Sequence, residues 1–599
     1  MAKRSATKTK AKAAARALPV WDLGDLYGGP EDPALARDIE RARAESLAFA
    51  ALYRGKVGAL DGAALGAAIR RFEALQDLIG RIVSYAQLRH AGDMADAEIS
   101  RFYQTTQERI TAITTELLFF TLEINRIEDA ALAERLKAPA LAHYAPWVRD
   151  VRAFRPHQLS DDLEKILHEK DVAGRAAFVR LFDETFAHLR FRVKGKSLAS
   201  QEALHLLSDR DPRTRRAAAK SLAGVFGANA RLFALITNTL AKDKEIDDRW
   251  RRYPLPASAR HLANQVEPAV VDALVAAVRA AYPKLSHRYY ALKARWLGKT
   301  KLEYWDRNAP LPEDADRKIS WTEAVEIVLG AYGKFSPDLA GIGRRFFDKP
   351  WIDAGVRQGK APGAFAHSTV PSAHPYLLLN YQGRTRDVMT LAHELGHGVH
   401  QVLAASQGAL MAETPLTLAE TASVFGEQLA FRALLDAETS AKRRRLMLAA
   451  KVEDMLNTVV RQIAFYEFER RLHDERRKGE LSVERLGELW LDTQRESLGP
   501  AFRFAPDYAT YWCYIPHFIH SPFYVYAYAF GDCLVNSLYA VYAGAAKGFQ
   551  AKYLDMLRAG GTKRHKELLQ PFGLDAGDPA FWSRGLGVIA DFVDRLEKD

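Results

Sequence analysis

Two histidines four residues apart, His393 and His397, bracket a glutamate in the segment His393-Glu394-Leu395-Gly396-His397. On an α-helix residues i and i+4 share a face, so both imidazoles can reach one metal ion. Glu394 then points to the side of that face. There its carboxylate can take a proton from a metal-activated water without being a ligand itself. The chemistry these residue types support is hydrolysis at one divalent cation, and the expected cofactor is one Zn2+ per chain. The competing interpretation is a surface helix that happens to carry two histidines.

Such a site needs a third protein ligand. A third histidine in the metzincin pattern is excluded, because position 400 is His and position 403 is Leu. Thr414-Pro415 is a good helix start, with proline at the first helical position. The helix it opens, to about Ala433, is apolar except for one narrow stripe, Glu420, Ser423 and Glu427. Carboxylates on so apolar a helix are costly unless paired or metal-bound. Glu420 lies 23 residues after His397, enough chain to reverse direction and return. It is the expected third ligand, with Glu413 next in line. Glu427 is expected to act as an outer partner that orients a histidine. His400 shares the face of His393 and His397 and is expected in the outer shell as well.

The elements that must carry these residues are legible. Val388, Leu391, Leu395, Val399 and Val402 form an apolar stripe, with Thr385 as N-cap, Asp387 in the first turn and Gly408 as the stop. Upstream, Gly363-Ala364-Phe365 and the run from His374 to Tyr381 predict strands. Pro375 at a strand start predicts an exposed edge. Residues Tyr376 and Asn380 on that strand are candidates to bind an extended peptide by backbone pairing. Elsewhere helical spacing dominates, as in Phe72, Leu75, Ile79, Ile82 and Tyr85, or Val270, Leu274, Val278 and Ala281.

Bulk properties narrow the class. A chain of 599 residues that is 48% apolar supports more than one packed subdomain. The expected division is a basic disordered tail at 1–18, an N-terminal helical domain at 19–195 and a catalytic domain at 196–599. Much of the +11 formal charge is local, since Met1 to Arg16 carries six basic residues and no acid. A solvated tail explains this better than a nucleic-acid-binding arm. Two cysteines, Cys513 and Cys533, argue against a disulfide framework and for a reducing cytoplasmic setting. The most apolar stretch, Phe518 to Ala545, is broken by His520, Asp532 and Asn536, so it predicts a buried helix and no membrane span.

Several patches together resemble a known family. HELGHGVH at His393 to His400 and LAETASVFGE at Leu418 to Glu427 are similar to the oligoendopeptidase F branch of the thimet oligopeptidase-like zinc peptidases. So are HPYLLLNYQG upstream, IPHFIHSPFYVYAYA at Ile515 to Ala529, and the opening Trp21-Asp22-Leu23-Gly24-Asp25-Leu26-Tyr27. The resemblance implies a mainly α, two-lobed neurolysin- or thimet oligopeptidase-like zincin, with a deep substrate channel and a small sheet beside the motif helix. It implies internal cleavage of short peptides, zinc on His393, His397 and Glu420, and Glu394 as general base. It also assigns His517, Tyr524 and Tyr528 to the substrate side of the site, where a tyrosine would stabilise the oxyanion. Ile519 departs from the usual aromatic two residues after the histidine, so one contact differs.

Two rivals make different predictions. A helical zinc carboxypeptidase would trim single C-terminal residues. A non-catalytic helical protein binding nucleic acid through its basic tail would hold no zinc. The expected partners are short peptides, without membrane or nucleic acid. Oligomeric state is left open by the sequence, and a monomer is compatible with it.

Overall fold

The computed structural model describes residues 18–171, 173–311, 318–544 and 547–598. The expected basic tail, apart from its last residue, lies outside them. The chain is predominantly helical. Buried apolar side chains from Leu23 to Leu596 form one connected core.

The long helices follow the apolar stripes of the sequence. Helix α1 (Gly62–Gly92) is capped by Asp61, whose side chain accepts from the Ala64 amide at 2.8 Å, and it buries Phe72, Leu75, Ile79, Ile82 and Tyr85. Helix α2 (Pro212–Trp250) starts from the Asp211 cap with proline in its first turn. Its 39 residues span about 58 Å. The turn at Lys194-Gly195, both with positive φ, joins two antiparallel strands, Phe191–Val193 and Lys196–Leu198. The backbone thus pairs directly across residue 195.

Seven further helices build and brace the site region: α3 (Trp321–Phe335), α4 (Thr385–Ala404), α5 (Leu416–Ala437), α6 (Ala441–Thr458), α7 (Val460–Arg476), α8 (Tyr526–Ala543) and α9 (Pro579–Lys598). Helix α5 lies at the centre, packed on α3, α4 and α8. Its first residue is Leu416 and its cap Pro415, one position later than the sequence predicts. Helix α4 begins at Thr385, with Arg384 as cap; the Asp387 carboxylate accepts from the amides of Gln382 and Arg384 at 2.8 and 2.9 Å. The chain leaves α4 through Gly408, whose φ of 82° suits glycine.

Close approach of α4 and α5 requires small residues. A Cβ on Gly396 would sit 2.5 Å from the Ala422 carbonyl oxygen, and one on Gly531 of α8 2.8 Å from the Cβ of Glu420. The motif helix and the following helix therefore touch backbone to backbone, and the α8 backbone abuts the Glu420 side chain.

A three-stranded sheet flanks α4: β1 (Ile352–Asp353), β2 (Phe365–His367) and β3 (Tyr376–Leu378), in the order β1-β3-β2. The predicted edge is corrected here. β3 is the central strand, parallel to β1 and antiparallel to β2, and its three side chains are fully buried. Pro375 sits just before β3, so its missing N–H breaks no ladder bond. The run Tyr376-Leu377-Leu378 is apolar at every position because both faces are covered. The edges are β1 and β2.

Candidate active site

Helix α4 presents His393 and His397 to Glu420 of α5. The Nε2 atoms of His393 and His397 lie 3.3 and 3.5 Å from Glu420 Oε2. The two rings stand nearly perpendicular, 81° apart with centroids at 4.9 Å. One ligand atom from each residue lies within 4.8 Å of the other two, and this is the one such group of three among the described residues. Nitrogen and oxygen ligands at 2.0–2.1 Å from a tetrahedral Zn2+ are separated by about 3.3 Å. The donor set and its spacing therefore fit a three-ligand catalytic cation site. Glu413 is exposed and outside the group.

The three candidate ligands are held by a ring of outer partners. Ser423 Oγ donates to Glu420 Oε2 at 2.7 Å. Glu427 Oε2 lies 3.4 Å from His393 Nδ1, and its other oxygen accepts from the buried Lys451 of α6. The rings of His397 and His400 both meet the backbone carbonyl of Ala419. His400 is buried, and its ring is not one of the converging ligands. Tyr332 of α3 donates to the Ala392 carbonyl at 2.6 Å, next to His393, across the space left by Gly426. Sequence reasoning assigned no role to Lys451 or Tyr332. The available signal for Lys451 was a lone lysine on the apolar face formed by Leu448, Val452 and Met455.

Electrostatics match this layout. Burial would push the His393 imidazole down, but Glu427, Glu420 and Glu394 outweigh it and hold the ring up at about 9. Burial opposes ionisation of Glu427, yet Lys451 and His393 keep it below the ordinary carboxylate range. Glu394 is only 7% exposed. Burial raises it to about 7 against the pull of His393, with Glu420 adding to the rise, while the Ala366 amide of β2 bonds the carboxyl. Three carboxylates thus converge with Lys451 as the cationic counterweight, and a divalent cation would neutralise the excess.

His517, Tyr524 and Tyr528 cluster on the other side of Glu420. His517 Nε2 is 3.3 Å from the Tyr528 hydroxyl, the His517 and Tyr524 rings stack at 6.0 Å, and the two tyrosines share a hydrogen bond. Burial, with the Glu420 charge, raises both phenols above their ordinary value, so they remain protonated donors. Tyr526, in contrast, is fully buried and bonded to His261 and Asn264.

One expected substrate contact, Tyr376, needs correction. The Tyr376 side chain is fully buried, and its hydroxyl donates to the Asp22 carbonyl at 3.0 Å, so it is turned away from the site. Both edges of its strand are already paired. Asn380 does line the cleft, but its amide donates to the carbonyls of Ala361 and Gly363 at 3.0 and 2.9 Å, fixing the loop that leads into β2.

The aim of Tyr524 depends on its neighbour. Phe523 adopts φ 59°, a region costly for a residue with a Cβ. Its N–H donates at 2.9 Å to the carboxyl of Glu469, which is 1% exposed. Burial pushes Glu469 up to about 8 from an ordinary 4.5. As pH rises between those values, the unfolded chain ionises at this position while the folded chain keeps its proton, so folded stability declines. Glu469→Gln keeps an acceptor for Phe523 and removes the ionisation. Its stability relative to wild type should therefore grow by a few kcal/mol between pH 5 and 8. Urea unfolding at both pH values measures this, and parallel profiles would refute it.

A cavity of about 1080 Å³ opens beside α4 and is bordered by His393, Glu394, Asn380, Arg307 and Arg461 among others.

Comparison with known proteins places this arrangement. Residues 205–588 match the model for Peptidase family M3, and residues 123–191 match the model described as Oligopeptidase F. The chain is 26% identical to Oligopeptidase PepF of Bacillus subtilis (strain 168), over 97% of this chain and 87% of that protein. It is also 26% identical to the Oligoendopeptidase F homolog of Lactococcus lactis subsp. lactis (strain IL1403), over 96% of each. A crystal structure from Chlamydophila abortus shares the fold with TM-score 0.85 at 23% identity, covering 97% of this chain and 98% of that one. Oligoendopeptidase-F from Enterococcus faecium does so with TM-score 0.71 at 22% identity, covering 94% and 97%.

Proposed function

This chain belongs to peptidase family M3 and is a peptidase, and from that premise we propose that it is a zinc-dependent endopeptidase of short peptides. The observation that carries the proposal is the convergence of His393, His397 and Glu420 beside the buried Glu394, with His393 and Glu394 lining a cleft. Two imidazole nitrogens and one carboxylate oxygen suit Zn2+. A cation held there supplies Lewis acidity, lowering the pKa of water and polarising the scissile carbonyl.

The chain's own residues do the rest. An extended peptide lying along β2, Phe365–His367, brings a carbonyl carbon over Glu394. Glu394 accepts a proton from the attacking water as the C–O bond forms. Its intermediate basicity then lets it return that proton to the leaving amine. The Tyr528 hydroxyl, positioned by His517 and Tyr524, donates to the developing oxyanion. Burial lowers His517 below its ordinary value, so it serves as a neutral hydrogen-bonding partner.

A cleft of this volume suits an extended peptide and not a folded domain. Among the described residues no helix is long and apolar enough to cross a membrane. Cys513 and Cys533 are buried and unpaired, which suits a reducing compartment. We place the protein in the cytoplasm on that ground.

The test is incubation with a peptide library of graded length, with and without a chelator, with products read by mass spectrometry. Internal cuts that a chelator abolishes and Zn2+ restores are the expected result. Sequential loss of single C-terminal residues, or cleavage unaffected by the chelator, would overturn it.

A further inference from the structure

The cleft lining carries charges of both signs, among them Arg386 and Asp387 on α4 and Lys451 on α6. The α4–α5 wall carries Glu394 and Glu427, while another part of the lining carries two arginines, Arg307 and Arg461. Arg461 is on the first turn of α7, and Arg307 follows the short turn Tyr304–Asp306. Neither guanidinium is in an ion pair among the described residues. Arg307 donates one bond, from Nε to the side chain of the adjacent Asn308 at 3.3 Å. Arg461 donates one bond, from Nη2 to the Tyr514 hydroxyl at 2.8 Å, and its Nε is buried with no acceptor. A guanidinium has five N–H donors, so most of this capacity is unused.

Among the described residues, the one carboxylate whose charge acts on Arg307 is already committed. Glu453 accepts from the Tyr289 hydroxyl at 2.7 Å and from Lys293. Lys293 is fully buried and also donates to the Arg307 backbone carbonyl at 2.7 Å. Lys293 thereby holds Arg307 in place and absorbs the Glu453 charge that would otherwise quench it. Burial lowers the Arg461 guanidinium below its ordinary value, and repulsion from Arg307 adds to that. Two cations kept together, desolvated and under-bonded on a cleft wall form a receptor for an anion. Planar, bidentate recognition by arginine favours a carboxylate.

We propose that Arg307 and Arg461 form a carboxylate subsite that anchors one end of the bound peptide, a role that rests on the cleft being a peptide-processing site. The carboxylate is either the peptide's free C-terminus or an Asp or Glu side chain. In the first case the subsite sets the distance from the C-terminus to the cut. In the second it selects an acidic residue at a fixed distance from the scissile bond. The two cations also add to the field that draws acidic peptides into the cleft.

The experiment compares matched peptides with the zinc-loaded full-length protein: free acid against C-terminal amide, and internal Glu against Gln. kcat/KM and cut positions are measured for wild type, Arg461→Gln, Arg307→Gln and Arg461→Lys. Binding of the same labelled peptides to Glu394→Gln protein is followed by fluorescence anisotropy. A preference of roughly tenfold or more for the carboxylate form is expected in wild type. It should collapse toward one in both Gln variants and survive in part in Arg461→Lys. Collapse of the acid-to-amide ratio identifies the C-terminus, and collapse of the Glu-to-Gln ratio a side chain. Wild-type protein that cleaves all four peptide types equally overturns the subsite and leaves the peptidase reading intact. If no peptide is cleaved, the peptidase reading fails, and the anisotropy ratios decide the subsite separately: equal affinities overturn it, a carboxylate preference upholds it. Because the peptide comparisons use wild type, a misfolded variant does not block the decision.

Discussion

Replacing Glu394 with glutamine should lower kcat/KM for peptide cleavage by about three orders of magnitude while metal content and fold stay intact. A positioned general base contributes typically about 10²–10⁴-fold. Glutamine fits the same space, and its carbonyl oxygen can still accept the Ala366 amide that the Glu394 carboxyl now engages. What it cannot do is take the proton of the attacking water or return it to the amine. Stability should not fall, because the substitution removes a 7% exposed carboxyl lying near the charges of Glu420 and Glu427. The measurements are steady-state cleavage of a quenched peptide, zinc content by mass spectrometry and a thermal melt. Activity within tenfold of wild type, with zinc bound, would rule out Glu394 as the base.

Glu420→Ala should abolish tight metal binding and activity together. The carboxylate is the one oxygen ligand of the group and lies 3.3 and 3.5 Å from the two histidine nitrogens. Losing an outer partner of a metal site typically costs 10–100-fold in affinity, and loss of a direct ligand should exceed that. Two histidines alone do not complete the three-ligand set. The same change removes the acceptor of the Ser423 hydroxyl, which retains the backbone carbonyl of residue 420 at 3.1 Å. The helix therefore survives the substitution. Zinc that binds only the folded state stabilises it by about 4.1 kcal/mol at a free concentration 1,000 times its Kd. Wild-type protein should show that gain on zinc titration, and Glu420→Ala should not. An undiminished zinc response in the variant would remove Glu420 from the ligand set.

Much of this site follows from local rules. The i, i+4 spacing of His393 and His397 needs only a helix, and the stripe from Val388 to Val402 provides one. The polar stripe of α5 singles out Glu420, Ser423 and Glu427 because a carboxylate buried without a partner is too costly to keep. Both inferences use interactions within a single helix, where periodicity fixes geometry. The boundaries were less legible. The caps of α4 and α5 each fall one residue from the expected position, since neighbouring residues compete for the same role.

The errors share another cause. Pro375 suggested that the strand at Tyr376 was an edge, yet it pairs on both sides. Strand order depends on segments far apart in sequence, Ile352–Asp353 and Phe365–His367, whose pairing no local pattern specifies. The burial of Tyr376 against Asp22 is equally non-local. Lys451 behind Glu427, Tyr332 beneath Ala392 and Glu469 under Phe523 were overlooked for the same reason.

The sequence by itself determined a helical protein with two histidines, a flanking glutamate and a matching carboxylate on the next helix. Those features are set by spacing along one chain segment and by the cost of burying charge. Only the tertiary structure decided which strand is central in the sheet, which residues brace the candidate ligands, and that Arg307 and Arg461 share a wall. Those relations join separate segments, and sequence spacing carries no record of such meetings; among them, glycines at 396, 426 and 531 let α3, α4, α5 and α8 approach closely.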